Sequence, residues 1–197
     1  MPRWDLSSEL IHFTQGDTPD AAYARLCRIL NDGYLQGSDH LITGGYRCVC
    51  FTEAPRTALA AGLVNSWDYG RYAPFGLLFD KRWLFEQSAR PVIYQSAAEF
   101  HDLPASHAWR HMTYEPDRDP PVDFTWEREW RLQTEQLRFD RSCAGIVVPD
   151  RDWEARLLAE HDVEQDWRVL EYSQIMDASL AEQLRDEYHW TLTSLRR

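Results

Sequence analysis

The chain is short of positive charge: 21 Lys and Arg stand against 32 Asp and Glu, for a net charge of −11. A surface of that sign repels phosphate backbones, so no general nucleic-acid binding is expected. Attachment to a membrane through a polybasic patch is disfavoured for the same reason. Long apolar runs are missing as well. No stretch approaches the roughly 20 residues that a spanning helix needs, and MPRWDLSSEL lacks the apolar run of a signal peptide. Cysteine is scarce: Cys27, Cys48, Cys50 and Cys143 do not make a disulfide framework in 197 residues. The expectation is a cytoplasmic protein with reduced thiols and no membrane partner.

Several catalytic signatures are absent too. GSDHLITGG contains no G-x-G-x-x-G and no Lys-Ser/Thr after it, which excludes a Rossmann or P-loop phosphate cradle. No G-x-S-x-G occurs, and no cysteine has a local sequence that marks a nucleophile. His107 and His111 of HAWRH have helical i, i+4 spacing, but the segment lacks the intervening Glu of a metalloprotease helix and further ligands. No metal is expected.

Aromatic residues are abundant. They make up 13% of the chain, with nine tryptophans, and a hydrophobic content of 44% is enough for a real core. A length of 197 residues suits one domain, residues 1–197. SELIHFT (8–14) reads as a first strand ending near His12. TPDAAYARLCRILNDGYL (18–35) has apolar residues at helical spacing, Thr18 and Asp20 as caps and Gly33 as a stop. GGYRCVCFTEAP (44–55) predicts a strand ending near Phe51 or Thr52, with Cys48 and Cys50 pointing the same way. TALAAGLVNSWDYG (57–70) reads as a short helix and turn, FGLLFD (75–80) as a strand, KRWLFEQSA (81–89) as a turn or two of helix and RPVIYQ (90–95) as a strand. AAEFHDLPASHAWRHM (97–112) predicts a helix interrupted at Pro104, and EPDRDPPVD (115–123) a charged loop. DFTWEREWRLQ (123–133) and AGIVVPD (144–150) read as strands and DWEARLLAEH (152–161) as a helix. WRVLEYSQ (167–174) is the last expected strand and SLAEQLRDEYHWTLTSL (179–195) the last helix. Strands in the middle and helices on the flanks favour an α+β domain.

Within DFTWEREWRLQ, strand alternation puts Trp126, Arg128 and Trp130 on one face and Glu127, Glu129 and Arg131 on the other. The two carboxylates would stand about 7 Å apart at the backbone, given a rise of about 3.4 Å per residue. They are either solvated charges partnered by Arg128 and Arg131 or a site in which two carboxylates share a ligand. His12 reads two ways in the same manner, as a satisfied structural residue or as a ligand group.

Four stretches taken together resemble a known group: ELIHFT with a helix ending ILNDGYL, VCFTEAP, YAPFGLLFDKRWLFEQSARPVIYQ, and DFTWEREWRLQ. Their order is similar to that in bacterial proteins that include the AbiGi-type abortive-infection proteins, over roughly residues 9–133. That group looks like distant kin of ADP-ribosyltransferases, the DarT-type toxins among them. The resemblance implies an ADP-ribosyltransferase-like α+β fold with a central mixed or split β-sheet flanked by helices. It implies NAD as substrate, with ADP-ribose passed to a macromolecular acceptor or NAD hydrolysed. The setting would be anti-phage defence or a toxin with a cognate antitoxin. His12 matches the first-strand position, Thr52 the second-strand position and Glu129 the late-strand glutamate, with Glu127 completing an E-x-E pair. Glu129 would bind the nicotinamide ribose and stabilise cationic charge, and Glu127 would orient or deprotonate an acceptor. His12, Thr14, Phe51, Thr52, Tyr46 and Tyr72 form the implied NAD-binding set, with Tyr69 loosely placed to join it. Arg47, Arg56, Arg71, Arg90 and Arg131 are the cations available to make the cleft locally basic. A non-catalytic partner-binding protein on the same fold, an antitoxin or a defence-system sensor, is the alternative; the aromatic excess would then serve an interface.

Overall fold

A computed structural model describes residues 6–62 and 72–196. Eleven strands and six α-helices are described, and seven of the strands form one mixed sheet. The chain begins with β1 (Glu9–Phe13) and turns into α1 (Pro19–Asp32). Local chemistry fixes both ends of α1. The Thr18 side chain accepts from the Ala21 N–H, Pro19 occupies the first turn, and Gly33 closes the helix at φ 67° with its N–H on the Ile29 carbonyl. Ala22, Tyr23 and Leu26 form the buried stripe that packs on the sheet.

The remaining elements are β2 (Tyr34–Gln36), β3 (Cys48–Thr52), α2 (Arg56–Ala60), β4 (Gly76–Asp80), α3 (Lys81–Glu86), β5 (Arg90–Pro91) and β6 (Ile93–Gln95). Then come α4 (Ala105–Ala108), β7 (His111–Thr113), β8 (Glu129–Gln133), β9 (Gln136–Arg138), β10 (Ala144–Val148), α5 (Arg151–Tyr172), α6 (Ala178–Glu182) and β11 (Leu192–Ser194). The sheet order is β11-β10-β4-β1-β3-β8-β5; β10 and β11 are parallel and the other neighbours antiparallel. β2 pairs with β9, and β6 with β7, in separate two-stranded ribbons. The main core lies on one face, where Leu10, Phe51, Leu77, Phe79 and Trp130 meet α1, α3 and the start of α5. Ile11, Ala54, Leu59, Val147 and Leu195 fill the other face. The mixed α+β class with a central sheet is as expected from the order of elements.

One feature of this sheet prepares the site. β1 pairs with β4 along its whole length, from Glu9↔Asp80 to Phe13↔Gly76. With β3 it has the single register pair Ile11↔Thr52. Beyond that point the two strands part, and the His12 ring enters the gap to donate from Nδ1 to the Cys50 carbonyl at 2.8 Å. A side chain thus satisfies a backbone acceptor that the missing ladder would have served. Gly76 holds the other side of β1 close, since a Cβ there would run into the His12 carbonyl.

Several expectations need correction. WRVLEYSQ is not a strand: residues 167–172 belong to the 22-residue α5, which starts on an Asp150 cap. SLAEQLRDEYHWTLTSL is not one helix but the short α6 followed by β11, which docks beside β10. RPVIYQ divides at Val92 into β5 and β6, which belong to different sheets. Residues 97–112 hold a 3₁₀ turn at Ala98–Asp102, α4 and β7, so His107 and His111 share no helix. The short helix foreseen at 57–70 is α2, whereas residues 63–70 and Tyr69 lie outside the described residues.

Candidate functional site

The gap between β1 and β3 opens into a cavity of about 430 Å³, within the range of small-molecule sites. Its walls include Ile11 to Thr14 from β1 and its end, Cys48 and Cys50 to Thr52 from β3, and Glu127, Glu129 and Arg131 from the DFTWEREWRLQ segment. Seven of the eight expected site residues line it: His12, Thr14, Phe51, Thr52, Tyr72, Glu127 and Glu129. Tyr46 does not. It packs instead against the cluster of Ile42, Cys48 and Trp109.

Strand alternation from Trp126 to Arg131 was the wrong geometry. Thr125–Glu127 is a 3₁₀ turn, Arg128 takes a left-handed φ of 45°, and β8 begins only at Glu129. Trp126 therefore lines the cavity while Trp130 enters the main core, and they share no face. The turn delivers Glu127 to the same cavity as Glu129 by another route. Thr52 ties it down, donating its hydroxyl to the Glu127 carbonyl and accepting the Ala54 N–H at 3.0 Å.

Both carboxylates are buried, Glu127 at 5% exposure and Glu129 at 6%, so they are not solvated surface charges. Arg131 is buried more deeply, at 1%. It grips Glu129 side-on, with Nε to Oε1 at 2.7 Å and Nη2 to Oε2 at 3.3 Å. Its Nη1 donates to the carbonyls of Trp109 at 3.1 Å and His111 at 2.7 Å. Burial, the largest single influence, would lower the Arg131 pKa; the Glu129 charge, the hydrogen bond to Glu129 and the nearby Cys50 and Cys48 together outweigh it, so the guanidinium is held above its ordinary value. Each Glu129 oxygen accepts one N–H from this fork, and the Cys50 thiol also bonds the carboxylate, which leaves acceptor capacity for one ligand hydroxyl. Glu127 Oε2 accepts the Tyr72 hydroxyl at 3.0 Å, and Tyr72 meets Trp126 edge-to-face.

Donation from Nδ1 fixes the His12 tautomer, because a carbonyl can only accept. Burial holds its pKa below the ordinary value, against a smaller upward effect of the Cys50 hydrogen bond. The neutral ring thus offers Nε2 as an acceptor. Phe51 packs edge-on to it, at 6.0 Å between centroids. Thr14 and Thr52, both lining the cavity, also hold the fold around it. Thr14 Oγ1 lies 3.2 Å from the Ala22 carbonyl and 3.1 Å from that of Phe75, which pins α1 to the sheet. The Cys48 thiol is pushed up to about 11 by burial, and Cys50 well above its ordinary value by burial and then by Glu129. Burial thus favours the protonated thiol at both positions.

Of the described arginines put forward for a basic cleft, Arg131 alone lines the cavity. Arg47 pairs with Glu135, Arg56 with Glu9, and Arg90 lies over the Phe85 ring; Arg71 falls outside the described residues. The second lining arginine is Arg25 of α1, which nothing local singled out; it and Ile29 share a helix face beside the buried stripe. Ser38, His40 and Trp126 are further lining residues that sequence reasoning missed. Among the described residues no group of three or more His, Cys, Asp and Glu is placed to hold a metal ion. No described helix is long and apolar enough to cross a membrane.

The fold and the cavity together define a mixed α+β protein with a buried carboxylate pair in a split of its central sheet. No family model, curated protein or solved structure matches the chain.

Proposed function

We propose that the cavity binds NAD and that the protein is an ADP-ribosyltransferase-like enzyme, passing ADP-ribose to a macromolecule or hydrolysing NAD. The observation that carries this reading is the convergence of His12 and the buried Glu127 and Glu129 on one cavity. Two carboxylates with Tyr72 and Trp126 beside them suit a cationic ring and a ribose that gains positive charge. Glu129, held by Arg131, accepts a ribose hydroxyl and stabilises that charge as the bond from ribose carbon to ring nitrogen breaks. The bonding pair leaves with neutral nicotinamide. Glu127 takes the proton of the attacking acceptor or water. His12 Nε2 accepts a hydroxyl of the second ribose. The resemblance to abortive-infection proteins and DarT-type toxins supplies the setting, a toxin or an anti-phage effector.

The test is direct. Purified protein incubated with NAD should release nicotinamide or label a bacterial lysate, and Glu129→Gln should abolish the signal with the circular dichroism spectrum unchanged. Absence of turnover with every acceptor, together with no NAD binding by calorimetry, would remove the reading. A second reading, a partner-binding protein such as an antitoxin or defence-system sensor, draws on a different observation. Val163, Trp167, Leu170, Ile175, Leu180 and Leu184 are all exposed on α5, α6 and the segments after them. Exposed Trp and Leu in one region are the material of an interface.

A further inference from the structure

The cavity has two chemically different ends. Thr52 at one end of β3 holds the Glu127 turn, and Ser38 pairs with Cys48 at the other. Four residue steps from Cys48 to Thr52 separate them, about 14 Å at a rise of about 3.4 Å per residue. The two carboxylates among the described lining residues, Glu127 and Glu129, both belong to the Thr52 end. That end holds the Arg131–Glu129 pair and Glu127, which accepts the Tyr72 hydroxyl beside Trp126. The Ser38 end has no carboxylate among its described lining residues. His40 lines it, and Arg25 and Ile29 of α1 reach the same cavity. Arg25 makes no ion pair among the described residues. Ser38 Oγ accepts the His40 backbone N–H at 3.1 Å and retains its own proton to donate.

We infer that Arg25, Ser38 and His40 form an anion seat for the pyrophosphate of a dinucleotide. The inference rests on the NAD reading of the same cavity and gives the ligand a direction. The cationic ring and its ribose lie toward Glu127, Tyr72 and Trp126, His12 meets the sugar between the ends, and the phosphates reach Arg25. A planar guanidinium suits this role, since its fork can give two parallel N–H bonds to phosphate oxygens.

Isothermal calorimetry on the full chain tests the seat, with NAD, ADP-ribose, nicotinamide riboside and inorganic pyrophosphate as probes. Arg25 is exposed on its helix, so Arg25→Gln should fold normally. It should weaken NAD, ADP-ribose and pyrophosphate about tenfold or more, the worth of a charge-assisted hydrogen bond. Nicotinamide riboside affinity should not change. Arg28→Gln, on the same helix but not lining the cavity, should leave every affinity unchanged. Equal losses in the Arg25 and Arg28 variants would reduce the effect to net charge and overturn the seat. NAD bound equally by wild type and Arg25→Gln keeps the NAD reading and overturns the seat. Arg25-dependent binding of pyrophosphate and ADP-ribose, with no affinity for nicotinamide riboside and no nicotinamide release, keeps the seat and removes the NAD reading. Silence with all four probes overturns both.

Discussion

The cavity wall and the C-terminal helices use the same ion-pairing groups to different ends. In β8, Arg131 and Glu129 have side chains only 2% and 7% exposed, and the guanidinium is bonded to two carbonyls as well. Between α5, α6 and the segment that follows, Arg185 pairs with Glu182 and Asp166, but its side chain is 35% exposed and the partners are more than half exposed. The wall buries charge and pairs it. The helices leave charge outside, and Trp167, Leu170 and Ile175 with it. Location, more than residue type, decides what an arginine contributes: removing one member of a buried pair strands the other in a low dielectric, whereas an exposed partner falls back on water.

The largest effect should come from Arg131→Met. It leaves Glu129 charged and buried with no counter-ion and deprives the Trp109 and His111 carbonyls of their donor. A loss of about 3–5 kcal/mol is expected, read as a fall of about 10 °C or more in the thermal midpoint. The double variant Glu129→Leu/Arg131→Met should recover part of the loss, because no charge is then stranded, but not the share due to the two carbonyls. A single variant as stable as wild type would erase the contrast between the two regions.

His12 gives a smaller, pH-dependent effect on the same wall. Its folded pKa is depressed by burial, below the ordinary value of about 6.5. Above that value both folded and unfolded chains carry a neutral ring, and His12 adds no pH dependence. As the pH falls below it, the unfolded chain binds a proton that the folded chain refuses, so stability declines until the folded pKa is passed. His12→Asn should therefore lose less stability than wild type between pH 7 and pH 5 in parallel urea titrations. Parallel curves would show that the ring is protonated as easily in the sheet as in water.

What could be read from the sequence follows the range of the interactions. Thr18, Pro19 and Gly33 act within a few residues of themselves, and α1 stands where they put it. β1, β3, β4 and β10 carry short apolar runs that a sheet buries, and each was legible. The last six residues of α5 read as a strand because Trp167 and Leu170 face outward, so no buried stripe marks the helical period. β11 exists through its pairing with β10, more than forty residues earlier, and local pattern cannot contain that. The site divides along the same line. The residue types of Glu127, Glu129 and His12 suggested one cavity, but their geometry depends on the left-handed Arg128 and on the parting of β1 from β3. Arg25 reaches the cavity only through the docking of α1, and Tyr46 misses it through the turn at Gly44 and Gly45.

The smallest effect should be that of Arg185→Gln. Its hydrogen bonds are short, 2.6 Å to Glu182 and 2.7 Å to Asp166, and its pKa is held up by both carboxylates. Bond length alone would rank it with Arg131. Solvent decides otherwise, because water takes over the freed carboxylates and ions screen what attraction remains. The thermal midpoint should move by about 1 °C or less, and by less still in 0.5 M salt. The chain already carries a net charge of −11, so any loss beyond the local pair should appear at low salt as added repulsion across the acidic surface. A fall as large as that of Arg131→Met would mean that α5 and α6 are joined by their ion pairs rather than by burial of Ala181. The two regions would then differ in exposure without differing in energy.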